Sequence, residues 1–217
     1  MKRLIECVPN FSEGRDPHKV AALVAEMSAV PGVYVLDQEM DADHNRCVIT
    51  IAGEPEAVAE AALRGVGKAA ELIDLTQHTG AHPRVGATDV VPFIPIEGVT
   101  IEDCVALARR VGNEIWTRHR IPVFFYEAAA TRPDRVNLEN IRRGQFEGLR
   151  EEMKRNLDRQ PDVGEPKVHP TACQPSERPS PAAGSPVSNV TLRVMPSDFS
   201  VRSRRVMYTV LRPASSL

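Results

Sequence analysis

The residue types best suited to chemistry crowd into one stretch, Asp74 to Pro92, which reads D-L-T-Q-H-T-G-A-H-P-R-V-G-A-T-D-V-V-P. Gly80 and Gly86 tolerate backbone angles that other residues avoid, while Pro83 removes a donor and biases His82 toward an extended conformation. His82 is therefore expected on a fixed, non-helical turn. Imidazole titrates near neutrality and guanidinium is permanently charged and forked, so His82 next to Arg84 reads as a proton carrier beside an anion clamp. A lone loop histidine is more often solvated than catalytic; the density of Gly, Arg and Asp around this one is what favours catalysis. His78 and His82 stand four apart, as in helical zinc motifs, but Thr79 rather than Glu follows His78, and Gly80 and Pro83 oppose a helix. No metal site is expected.

A second group lies at residues 37–46, D-Q-E-M-D-A-D-H-N-R, with four acids, His44 and Arg46. Asp41, Asp43 and His44 have the chemistry of a cation site or an acid/base pair. Read in isolation, a polar hairpin end is the plainer account.

The elements that must carry these residues follow from periodicity. Arg3 to Pro9 is a short strand running into the turn-forming V-P-N-F-S-E-G of residues 8–14. Pro17 to Val30 reads as a helix capped by Asp16, and Glu54 to Ile73 as a second, alanine-rich one. Val33 to Leu36 and Arg46 to Ala52 are strands. Residues 90–96, V-V-P-F-I-P-I, form an apolar strand broken by Pro92 and Pro95, which places it at an edge or makes it an irregular strand. Thr100 to His119 is a third helix opened by a capping-box spacing, and Pro122 to Tyr126 a strand. Two polar helices, 137–141 and 144–157, follow. The fold class is thus α/β in the sense of an α+β sandwich, with a ferredoxin-like split βαβ lobe and a mixed sheet carrying helices on one face.

With 217 residues and a net charge of −2, nothing in the overall charge calls for nucleic acid. Cys7, Cys47, Cys104 and Cys173 are scattered without a C-x-x-C pair, as suits reduced core thiols. Met1-Lys2-Arg3 is not followed by an apolar run, and no segment approaches membrane-spanning length, so a cytoplasmic protein without membrane partners is expected. From Cys173 the chain turns rich in Ser, Pro and Arg, and residues 173–217 are expected to be a tail that is disordered or opportunistically docked, with later fragments such as Val206 to Leu211 able to form a strand.

Taken together, V-P-N-F-S-E-G, D-H-N-R at 43–46, the run from Leu72 to Pro95, V-F-F-Y-E-A-A at 123–129, I-R-R-G-Q-F-E-G-L at 141–149 and P-D-V-G-E-P-K-V-H-P-T-A at 161–172 resemble glutamate formiminotransferase. The resemblance implies that residues 1–172 correspond to the first of two α/β lobes. It implies transfer of a formimino group from N-formimino-L-glutamate to tetrahydrofolate, a co-substrate, in histidine degradation. His82 is implied as catalytic base, and as general acid in turn, one imidazole taking the proton of the attacking folate nitrogen and returning one to the departing glutamate nitrogen; Gly164, Pro166, Lys167, His169 and Pro170 are implied as folate contacts. Arg84 or Arg46 is expected to pair with a substrate carboxylate, Asp41 or Asp43 to orient the imidazole, and Asn45 and Asn10 to line the substrate site. The tail departs from the family pattern, in the manner of a shifted reading frame. Two other readings stand beside this one: a metal-dependent hydrolase using His78, His82, Asp41 and Asp43, and a truncated, non-catalytic folate-binding lobe. A homodimer is a further expectation.

Overall fold

The computed structural model describes residues 3–166 and the backbone of residues 190–194. The chain opens with β1 (Leu4–Cys7) and β2 (Asn10–Phe11), two strands in line that are separated by Val8 and Pro9. Helix α1 (Pro17–Ser28) starts where the sequence places it: the Asp16 side chain accepts the amides of His18 and Lys19, and Pro17 stands in the first turn. A cap of this kind contributes about 1 kcal/mol. Strands β3 (Val33–Asp41) and β4 (Arg46–Gly53) form a hairpin. Helix α2 (Pro55–Leu72) returns the chain, and β5 (Thr88–Glu97) completes a split βαβ unit. Helix α3 (Ile101–His119) begins with the expected Thr100/Asp103 capping box and leads into β6 (Val123–Glu127). Helices α4 (Leu138–Arg142) and α5 (Gln145–Glu152) follow, and β7 (Val190–Val194) is the last described element.

In space the sheet runs β3, β4, the β1/β2 pair, β5, β7, β6. Pairings from β3 to β5 are antiparallel, whereas β7 is parallel to both β5 and β6, so the sheet is mixed. Alternation sends Ile5, Cys7, Ile49, Ile51, Val91, Phe93, Val123 and Phe125 to one face, where they form the main core with the apolar stripes of α1, α2 and α3. The opposite alternation, Val90, Phe124 and Tyr126, packs with Ile141, Leu149 and Met153 of the short helices α4 and α5. That second, smaller cluster brings α4 and α5 beside the loop after α2. Cys7, Cys47 and Cys104 are free, buried thiols, and burial pushes Cys47 and Cys104 up to about 12.

Three expectations shift. Strand β3 extends to Asp41 instead of stopping at Leu36, because the polar run 37–41 is the solvent-exposed end of an edge strand and carries no apolar alternation. Strand β5 is central, not an edge; of the two expectations the irregular strand holds, with register shifts against both β1 and β2. Pro92 lies opposite the Val8–Pro9 break, and Pro95 lies past the last β7 partner, at Phe93, so neither proline interrupts a ladder that needs its missing donor. Within the tail, Val190–Val194 fills the slot between β5 and β6, while Val206 to Leu211 lies outside the described residues. Among the described residues no helix is long and apolar enough to cross a membrane.

Candidate active site

Three loops meet at the end of the sheet where β3 turns into β4, and Asn45 joins them. Its left-handed backbone (φ 50°) closes the hairpin turn. Its carbonyl-side oxygen Oδ1 accepts the Gly14 amide at 2.9 Å, and its Nδ2 donates to the Thr79 carbonyl at 3.0 Å. Gly80 is needed for space: a Cβ there would stand 2.4 Å from the His44 carbonyl oxygen. Neither Gly80 nor Gly86 has a positive φ, so close approach, not the unusual backbone angle expected from sequence, explains Gly80. The Ala81 amide donates to the Asp43 carbonyl at 3.2 Å. The loop from Asp74 to Ala87 is therefore laid against the β3–β4 turn one residue before the histidine.

That seating brings His82 to Arg46, whose Nη1 donates to His82 Nε2. A guanidinium has only donors, so Nε2 accepts and the proton of the neutral ring sits on Nδ1. Burial, then the charges of Arg46 and Arg142, hold the His82 pKa down to about 4. Arg142 in turn pairs with the buried Asp89, whose other oxygen accepts the Val85 amide at 2.8 Å. The Nε atoms of both Arg46 and Arg142 are buried without a hydrogen-bond partner. The result is a half-buried neutral imidazole flanked by two guanidiniums that retain donor capacity, a setting suited to an anionic ligand.

The matching of sequences agrees in kind. Residues 4–174 match the family described as Formiminotransferase domain, N-terminal subdomain. The chain belongs to the formiminotransferase family. A glutamate formimidoyltransferase from Streptococcus pyogenes serotype M1 is 47% identical over 172 residues, covering 79% of this chain and 57% of that protein. One from Thermoplasma acidophilum is 45% identical over 163 residues, covering 74% of this chain and 54% of the other. The mouse formimidoyltransferase-cyclodeaminase is 43% identical over 164 residues, 76% of this chain and 30% of the mouse protein. The matched part thus spans about half of the first two relatives and less of the third.

Within this formiminotransferase subdomain the expected site residues divide. His82 and Arg46 come together. Arg84 is buried and fully engaged: Nε donates to His78 Nδ1 at 2.9 Å, Nη2 to the His78 carbonyl at 3.2 Å and to Glu147 at 2.8 Å, and Nη1 to Gln145 at 3.1 Å. It ties the loop to α5, which leaves Arg46 as the guanidinium at the imidazole. Asp41 does not reach His82; its Oδ2 meets His44 Nδ1 at 2.7 Å and its Oδ1 accepts the His44 amide at 2.9 Å. Asp43 meets the Asp74–Ala87 loop through its backbone carbonyl. Asn10 is buried in β2 and donates to the Val8 carbonyl at 2.6 Å, bridging the strand break. His78 uses both ring nitrogens, accepting from Arg84 and facing the Asn45 carbonyl at 3.0 Å, so it has none left for a metal shared with His82.

Gly164 and Pro166 belong to the segment that β6 holds at its outer edge: Val163 bridges Val123, and the Asp162 carboxylate accepts the Phe125 amide at 2.8 Å. Lys167, His169 and Pro170 lie outside the described residues. Arg142 and Asp89 are the neighbours that sequence reading gave no role. The signal was there, since I-R-R-G and T-D-V stand among the motifs, but nothing in the linear order shows that α4 folds back over β5.

Proposed function

We propose that this chain carries the formimino-transfer half-site of its family, moving a formimino group from N-formimino-L-glutamate to tetrahydrofolate as co-substrate, in histidine degradation and in the cytoplasm. The observation that carries the reading is the neutral His82 imidazole between Arg46 and Arg142. N5 of tetrahydrofolate must lose a proton as it bonds to the amidine carbon, and a neutral imidazole accepts one. A carboxylate is a better acceptor for Arg46 than a neutral ring nitrogen. Binding of the substrate glutamate moiety would draw Arg46 away, expose Nε2, and place a negative charge that raises the basicity of His82 toward the working range. Asn10 and Asn45 shape the substrate side through the backbone they hold. Gly164 and Pro166, with Lys167, His169 and Pro170, are the proposed folate segment.

The test is direct: purified full-length chain with formiminoglutamate and tetrahydrofolate, against His82→Ala. Turnover in the wild type that falls by several orders of magnitude in the variant supports the reading, and equal rates reject it. Because the chain spans about half of its transferase relatives, a second reading is kept, a lobe that binds folate without turning it over, alone or as a homodimer. Its signature is stabilisation by folate with no difference in rate between wild type and His82→Ala.

A further inference from the structure

The hairpin that supplies Arg46 carries a second imidazole. His44 is half-exposed, its Nδ1 is 2.7 Å from Asp41 Oδ2, and its ring lies edge-on to His82 with centroids 6.2 Å apart at 67°. The hairpin turn accounts for Asp41 Oδ1, which accepts the His44 amide at 2.9 Å, but not for the ring contact. A carboxylate on Nδ1 orients the ring with that proton inward and leaves Nε2 as the working atom. His82 is the reverse case: its Nε2 accepts from Arg46, and the ring, held neutral by burial and the neighbouring guanidiniums, has no proton there to give.

We propose that His44, positioned by Asp41, is a second catalytic residue, the general acid that protonates the departing glutamate nitrogen. The inference rests on the transfer reading above. In the forward step, the N5 lone pair of tetrahydrofolate bonds to the formimino carbon, and the C=N π pair moves onto the terminal nitrogen. The N5 proton passes to His82 Nε2. The tetrahedral centre then collapses: the terminal nitrogen re-forms C=N, the bond from carbon to the glutamate nitrogen breaks with its electron pair on that nitrogen, and His44, acting in its imidazolium form, supplies the proton from Nε2 while Nδ1–H stays on Asp41. His82 ends one proton richer and His44 one poorer, and solvent restores both. Two rings at this spacing can address the entering and leaving nitrogens of one carbon at once, which a single imidazole does only by reorienting between steps.

The experiment uses the full chain. Rates are compared for wild type, His44→Gln and His44→Ala, with thermal melts to check folding, and the ring nitrogens of His44 are followed by NMR as glutamate, the departing amine, is added. In His44→Gln, kcat should fall about 10²- to 10⁴-fold with KM within about threefold, and added imidazole should restore part of the rate in His44→Ala. Glutamate should shift His44 Nε2 in the wild type. An unchanged kcat in His44→Gln, or a His44 ring unmoved by glutamate, overturns the proposal. Absence of wild-type turnover instead rejects transfer by this chain, and the ring response alone then decides whether His44 meets the leaving amine.

Discussion

Arg46 donates a hydrogen bond to Nε2 of His82, so in the free chain that ring nitrogen is capped and the imidazole is neutral. Two separate causes keep it so. Burial disfavours the imidazolium, and the Arg46 and Arg142 charges add repulsion, which together hold the pKa near 4 against an ordinary 6.5. The folded value lies below the unfolded one, so the contribution to stability is complete above pH 6.5 and is lost as pH falls through about 4.

His82→Gln should therefore lose less stability than wild type between pH 6.5 and 4, the interval set by those two values. Arg46→Met should move the His82 titration upward, toward the ordinary value. Histidine ring NMR across this range measures both. His82 titrating near 6.5 in the wild type would mean that neither Arg46 nor burial acts as described. His78 and His119 are also held low, chiefly by burial, so the comparison between variant and wild type isolates His82.

Asn45 offers a stability test of the way the three loops are joined. Asn45→Ala leaves the Gly14 amide and the Thr79 carbonyl without their partner in a buried position and removes the short polar side chain that lets Asn tolerate a left-handed backbone better than Ala does. The expected loss is on the order of 2 kcal/mol, or about 5 °C in Tm for a domain of this size. Asn45→Gly relieves the backbone and not the hydrogen bonds, so it should fall between. If Gly and Ala cost the same, the backbone angle contributes nothing. Thermal melts of the three proteins give the answer.

Much of this was legible in the sequence where local chemistry decides. Asp16, Thr100 and Asp103 cap their helices as read, since a cap is settled within four residues. The split βαβ order was legible in the hydrophobic periodicity, and the non-helical seating of His82 in the Gly80 and Pro83 that flank it. The central place of β5 was not, because whether Pro92 and Pro95 interrupt a ladder depends on breaks in strands far away in sequence. The choice between Arg84 and Arg46 was left open by the sequence for a related cause: nothing in the linear order shows that α5 folds over the loop and engages the Arg84 guanidinium. Long-range packing, not residue type, assigned Arg46 to the imidazole.

The capture of Arg84 is lopsided, with side-chain exposures of 8% for Arg84 and 60% for Glu147. Glu147→Gln keeps an acceptor oxygen and frees a group already in water, so it should cost about 1 kcal/mol or less. Arg84→Met strips His78 Nδ1 and the His78 carbonyl of their donor inside the fold. Its cost should reach about 3 kcal/mol, in the range for breaking one side of a buried polar network. Urea unfolding midpoints compare the two; equal losses would show that the surface ion pair, not the buried guanidinium, holds α5 to the loop.

The last relationship concerns Gly164 and Trp116. Gly164 has φ +97°, and a β-carbon on it would lie 2.6 Å from Cε3 of the Trp116 ring, which Arg120 also covers with its guanidinium carbon 5.4 Å from the ring centroid. Gly164→Ala thus meets both a forbidden backbone angle and a rigid ring, and should lift the 160–166 segment off the β6 edge at a cost on the order of 1–3 kcal/mol. Trp116 is the only tryptophan in the chain, so its emission reads this contact alone. The expected result is a red shift and stronger acrylamide quenching in Gly164→Ala, with far-UV circular dichroism unchanged. Should the segment bind folate as proposed, folate will alter Trp116 emission in the wild type and do so at several-fold higher concentration in the variant. Identical folate titrations in the two proteins would separate this segment from ligand binding while leaving the Trp116 contact intact.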